Sequence, residues 1–224
     1  MQRPQRSLHS LKLLGLLAFA LALVGATGCG EDDPAAGGAP KGNTADRAFL
    51  SAMVPHHTSA VEMAALAEEK AERSQLKGLG EEITSAQEEE IEEMRDIHQR
   101  LFGAELTPDE GAHEALGLSP EEAGMAHMDG AKKLQTATPF DRAFIDEMVP
   151  HHQGAIRMAR AVIAKTKDAE VRMLAEAIVS AQTREIKEMN DWRTEWYGGP
   201  SPAGGVPADD EQKAPTDEEH GAGH

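Results

Sequence analysis

Two pairs of adjacent histidines, His56-His57 and His151-His152, are the residues of this chain best suited to chemistry. Each pair follows a methionine, Met53 or Met148, and precedes another, Met63 or Met158. Imidazole combined with thioether and no thiolate is a soft, uncharged donor set. It suits Cu(I), and histidine with a carboxylate also holds Cu(II), whereas Mg²⁺ and Ca²⁺ want oxygen and Zn²⁺ rarely takes a thioether. Glu90 with Met94, and Glu185 with Met189, add a carboxylate and a third sulfur to each set. One histidine of each pair can instead hydrogen-bond its glutamate, which then orients the ring for a metal. The competing reading is that methionine on an apolar helix face is core filler. Paired histidines beside methionine, twice in one chain, favour the metal.

The two sets are copies of each other. Residues 46–64 (DRAFLSAMVPHHTSAVEMA) align without a gap on 141–159 (DRAFIDEMVPHHQGAIRMA), and 82–97 align on 177–192 at the same offset. Apolar residues recur at helical spacing: Ile83, Ile91 and Met94 in one copy, Leu174, Ile178, Ile186 and Met189 in the other. The pattern predicts helices over about 44–72, 75–101, 139–166 and 168–197. Asn43 and Thr138 stand as N-caps with an acid three residues on, as in a capping box, and Pro139 suits a first helical position. Asp46 with Arg47, and Asp141 with Arg142, are read as caps and charge pairs.

Short links make each helix pair an antiparallel hairpin, and two hairpins make an all-α four-helix bundle. On a helical wheel Phe49, Met53, His56, His57 and Met63 share one broad face, and Phe144, Met148, His151, His152 and Met158 repeat it. Gln87, Glu90 and Met94 share a face, as do Gln182, Glu185 and Met189. Each hairpin is therefore expected to gather its own two His, three Met, one Glu and one Gln. Pro55 and Pro150 fall inside their helices, where proline removes a hydrogen bond to the carbonyls of Ser51 and Asp146. A kink there either opens room for a ligand or only fits the bundle.

The bundle is expected over 43–197, with repeat halves at about 43–101 and 138–197 and a connector at 102–137. Short helices are predicted within the connector over 114–118 and 120–134. Met125, His127 and Met128 in it form a candidate accessory copper site. Trp192, Trp196 and Tyr197 are read as covering one end of the bundle.

Residues 1–28 read as an export signal: basic residues, an uncharged run from Leu13 to Val24 too short to span a bilayer comfortably, then a small-residue boundary. Cys29 is the sole cysteine of the 224 residues, and Ala26-Thr27-Gly28-Cys29 resembles a bacterial lipobox, which implies lipidation of Cys29. An ordinary cleaved signal is the alternative. The reading places the protein in the cell envelope, lipid-anchored, facing the periplasm or the exterior. Residues 29–42 then form a flexible tether, and 198–224 a disordered acidic tail in which His220 and His224 either scavenge cations or are simply solvated. The formal charge of −17 becomes −20 once Arg3, Arg6 and Lys12 leave with the signal. Such acidity opposes nucleic-acid binding and a polybasic membrane patch, so the lipid is the only membrane contact expected.

In these residues the chain resembles the bacterial family catalogued as "domain of unknown function 305". The family motif is similar to D-x-x-F-x-x-x-M-x-x-H-H-x-x-A-x-x-M-A with a later Q-x-x-E-I-x-x-M, met here by Asp46–Ala64 with Gln87–Met94 and by Asp141–Ala159 with Gln182–Met189. The resemblance implies an exported ferritin-like four-helix protein, copper-associated in some members. It points to Met53, His56, His57, Met63 and Met94, and to Met148, His151, His152, Met158 and Met189. A non-enzymatic copper-binding lipoprotein, for buffering, resistance or handover to a protein partner, is the leading expectation. A metal-free interaction module is the alternative. A ferritin-like oxidase is less favoured, because the only Glu-x-x-His is Glu110–His113 in a Gly-containing connector. No organic cofactor is expected, since no phosphate-binding Gly loop stands out.

Overall fold

The structure is a computed structural model, and it describes residues 41–208. The export segment, Cys29, most of the tether, and the chain from 209 onward with His220 and His224 lie outside the described residues. Regular structure among the described residues is entirely helical. Four long helices, α1 (Thr44–Lys70), α2 (Ser74–Phe102), α4 (Phe140–Ile163) and α5 (Ala169–Tyr197), form the two hairpins; a short α3 (Gly130–Leu134) lies in the connector. No described helix is long and apolar enough to cross a membrane.

Local chemistry sets most of the helix ends. At α1 the Asn43 side chain accepts from the Asp46 amide while the Asp46 carboxylate accepts from the Asn43 amide, both at 2.9 Å. Asp168 opens α5 by accepting from the amides of Glu170 and Val171 at 3.1 Å. Gly103 and Gly198 end α2 and α5 in the left-handed region, at φ 66° and 83°, where other residues are strained.

The expected cap at Thr138 is corrected. The residue preceding α4 is Pro139, and no side chain caps this end. Asp141 turns instead to the other hairpin. It accepts from the amides of Glu72 and Arg73, at 2.9 and 3.2 Å, and from the Arg73 guanidinium at 3.0 Å. The turn between α1 and α2 has no cap of its own at Arg73, so a carboxylate from α4 supplies one.

Two apolar clusters fill the bundle end to end. One joins the first half of α1, the second half of α2, the second half of α4 and the first half of α5, including Phe49, Leu101, Val162 and Leu174. The other takes most of the complementary halves, including Leu76, Ile83, Phe144 and Ile186. This sharing requires α1 and α4 to run antiparallel. The histidine pairs, near the middle of α1 and α4, then fall at the waist between the clusters. Trp192 and Trp196 stack at 5.6 Å and pack on the second cluster, with Arg73 over Trp196 at 4.3 Å.

After each hairpin the chain returns along that hairpin's first helix. Following α2, the Asp109 amide donates to the Ser51 carbonyl at 2.9 Å. That carbonyl is the one deprived of its helical donor by Pro55. Both α1 and α4 continue through their prolines without a break. The connector then forms 3₁₀ turns over Glu110–Leu116 and Met125–His127 before α3. Thus the helical segment expected over 114–118 starts earlier, and that over 120–134 is interrupted.

Residues 198–208, expected within a free tail, also lie back on the bundle. The Gln153 amide donates to the carbonyls of Ala203 and Gly205, at 2.9 and 2.6 Å. Arg193, itself buried, holds the carbonyls of Gly199 and Pro200 and the carboxylate of Asp146. A Gly/Pro-rich composition did not foretell this, because the holding groups are side chains on α4 and α5.

Candidate functional site

The duplicated helices meet at the waist in one polar layer. His56 and His151 stack on each other across the α1–α4 contact, with ring centroids 3.7 Å apart and planes at 36°. Their neighbours face outward to the flanking helices. The His57 Nε2–H donates to the Glu90 carboxylate at 2.8 Å, and the His152 Nε2–H donates to Glu185 at 2.6 Å. With Nε2 protonated, the remaining lone pair of each ring is on Nδ1. All four imidazoles are buried, while the glutamate side chains keep 17% and 12% of their surface.

Burial pushes His56 and His151 well below the usual histidine value of 6.5, and the neighbouring histidines push the same way. The Ala123 backbone opposes this at His56, without reaching hydrogen-bond geometry with either ring nitrogen. Burial raises Glu185, but the hydrogen bond and charge of His152, followed by Arg184 and His57, win and hold its carboxyl below the ordinary range.

The layer contains an excess of unpaired polar atoms. Both nitrogens of His56 and His151, Nδ1 of His57 and His152, and the amide oxygens of Gln87 and Gln182 are buried without a hydrogen-bond partner. These atoms occur in matched pairs under the 95-residue offset. Each such group costs about 1–3 kcal/mol unless something satisfies it. Packing alone gives no reason to place them twice.

The methionines flank this layer. Met53, Met63, Met94, Met148, Met158 and Met189 are all fully buried. Met53, Met94 and Met158 belong to the first apolar cluster, and Met63, Met148 and Met189 to the second. The expectation that each hairpin gathers its own three sulfurs is therefore not how the core is partitioned: each group of three draws two from one hairpin and one from the other. Among the described residues, no three His, Cys, Asp or Glu side chains form a metal-binding group. A site here has to include thioethers. Donors of that kind fit a soft ion and discriminate against hard ones.

The connector roofs the site with backbone. A Cβ on Gly124 would stand 3.0 Å from His56 Nε2, one on Gly130 would collide with Met63 Sδ, and one on Gly154 would collide with the Ala123 carbonyl and the Gly124 amide. Ser59 on α1 donates to the Met128 carbonyl at 3.2 Å. The accessory residues diverge. Met125 packs on the first cluster, His127 approaches Glu147 at 3.3 Å, and Met128 lines an open groove of about 390 Å³ beside Pro55 and Thr58. Gln87 and Gln182 were expected on the gathered faces, though not named as ligands, and the roofing glycines were not expected at all. The glutamines lie in the repeated block and carried that signal; nothing in the sequence marks the glycines.

The family model described as "domain of unknown function (DUF305)" matches residues 46–193 and 141–222. CopM in its Cu(I)-bound form is 36% identical over 68% of this chain and 98% of that one, with a TM-score of 0.58; its Cu(II)-bound form is similar at 35% and 0.57. A DUF305 protein of Streptomyces coelicolor shares the fold at 24% identity and a TM-score of 0.62, over 70% of this chain and 96% of that one. A stretch of 50 residues, 22% of this chain, is 40% identical to an uncharacterized protein of Acanthamoeba polyphaga mimivirus and spans 33% of its length.

Proposed function

The chain belongs to the family described as domain of unknown function (DUF305), and on that premise we propose that it binds copper at the waist of the bundle, with Cu(I) favoured. One observation carries the reading: eight buried, unpaired nitrogen and oxygen atoms recur at repeat-related positions between two sets of buried methionines. The likeness to CopM, a protein with Cu(I)- and Cu(II)-bound forms, adds to it. In this reading His57 and His152 present Nδ1 to the metal, held in that tautomer by Glu90 and Glu185. The methionines supply neutral sulfur that protons do not compete for, so affinity survives moderate acid better than an all-histidine site would.

The role proposed is non-enzymatic: an exported lipoprotein, anchored through Cys29 in the cell envelope, that buffers copper or passes it to a protein partner. The support for export and lipidation is the N-terminal sequence pattern. Copper as cargo needs no catalytic acid or base, and the waist offers stable ligands with two largely buried carboxylates at its edge.

Anaerobic Cu(I) titration of the full-length protein tests the site. Replacing all four paired histidines by alanine is expected to lower the number of ions bound; an unchanged stoichiometry rejects the assignment. Thermal unfolding with and without Cu(I) or Cu(II) tests the function more broadly, because a ligand of the native state must raise stability. Identical curves would favour a metal-free scaffold.

A further inference from the structure

We infer that the waist holds two soft-metal sites, one on each side of the His56–His151 stack, and that each takes a methionine from the opposite repeat. The inference rests on the copper-binding reading and deepens it. The first site would comprise His57, Met53 and Met94 from the first repeat with Met158 from the second. The other would comprise His152, Met148 and Met189 with Met63.

Three observations support this pairing. The core divides at the histidine layer into two clusters, and the methionines sort into them as two crossed groups of three. Helix geometry agrees: Met53 lies one turn before His57 and Met94 one turn after Glu90, so both lie on the same side of the His57–Glu90 bond. Because α4 runs antiparallel to α1, Met158, two turns past His151, reaches that same side, while Met63 reaches the other. Finally, the matched orphan nitrogens supply one free Nδ1 per side, on His57 and His152. The stacked rings of His56 and His151 stand between the two groups and belong to both repeats.

The crossing explains why a duplicated sequence folds into one body instead of two separable hairpins with a site each. It also makes each site incomplete without the other half.

Two triple variants of the full-length protein separate crossed from same-hairpin sites. Leucine replaces methionine at nearly constant volume, so packing is disturbed little. M53L/M94L/M158L removes one whole crossed group and leaves the other intact. M53L/M94L/M63L removes a same-hairpin group and damages both crossed sites. In anaerobic titration against a competing Cu(I) chelator, the wild-type protein is expected to bind two ions. The first variant should keep one at wild-type affinity, and the second should keep none at that affinity. The reverse outcome, equal losses in both variants, or a single ion in the wild type would overturn the crossed arrangement. No copper binding by the wild type would instead sink the functional reading itself. A metal-free readout stands beside this. In apo double-mutant cycles M53L and M158L should couple, being in one cluster, while M53L and M63L should add. Additivity in the first cycle with coupling in the second would also overturn the proposal.

Discussion

The two repeats agree at their waists and disagree at their ends. His57–Glu90 and His152–Glu185 are the same interaction at 2.8 and 2.6 Å. The equivalent aspartates further out have parted company. Asp46 closes a capping box at its own helix, with one carboxylate oxygen buried and unpaired. Asp141 leaves its helix uncapped and serves the turn of the other hairpin. The reason lies at the position where one repeat has Arg73 and the other Asp168. Asp168 caps α5 itself and pairs with Arg100 at 2.8 and 2.9 Å, so its turn needs no help. Arg73 cannot cap, and Asp141 compensates. Helix ends therefore tolerate different solutions to one hydrogen-bonding problem. The waist keeps one arrangement twice although its unpaired atoms are unfavourable, a cost that the proposed copper site would account for and a stability device would not.

The widest separation between the repeats is expected at those aspartates. Asp141→Ala strands two amides and a guanidinium and should cost about 3 kcal/mol, whereas Asp46→Ala loses one cap and should cost about 1 kcal/mol. Urea unfolding of the apo protein measures both. Equal costs would mean that the cross-hairpin cap contributes no more than a local one.

Acid should then expose the waist where the ends are indifferent. In the folded chain burial keeps His56 and His151 neutral, while in the unfolded chain each titrates near 6.5. Below that value the unfolded state binds protons that the folded state refuses, so stability falls as the pH drops. Glu185 acts in the same direction, since its depressed pKa gives stability that is lost as pH falls through the folded value. His56→Leu/His151→Leu should weaken the pH dependence between neutrality and pH 5 and leave the apo protein at least as stable at pH 5, because unpaired polar groups are replaced by apolar ones. Unfolding midpoints at pH 7.5 and 5 test this; an undiminished acid loss in the double variant would show that the stacked pair is not its source.

How much of this could be read from sequence follows from what a repeat and a period carry. The four long helices fall within three residues of the predicted ranges, because apolar spacing and a gapless offset mark them twice. The faces were legible too, and so was the option that a histidine of each pair bonds Glu90 or Glu185. A period of 3.6 says which residues share a face, however, and not how one hairpin is laid against the other. Met158 and Met63 were for that reason assigned to their own repeats. The roof over His56 was illegible for another cause. It is made where Gly124 and Gly154 touch backbone to backbone, and a missing side chain leaves no pattern.

That roof supplies the smallest contrast. Ser59 and Gly154 occupy equivalent positions on α1 and α4, yet one holds the connector by a hydrogen bond and the other by having no Cβ. Gly154→Ala forces the Ala123–Gly124 backbone away and should cost about 1–3 kcal/mol, as overpacking does. Ser59→Ala forfeits one bond to Met128 and should cost about 1 kcal/mol. The two should differ more in amide hydrogen exchange than in global stability. Displacing Ala123 and Gly124 uncovers the connector over His56, so exchange at residues 123–125 should quicken in Gly154→Ala, while in Ser59→Ala the change should centre on 127–129. Unchanged protection at 123–125 in Gly154→Ala would mean that the connector yields without lifting, and that its glycines fit the site without covering it.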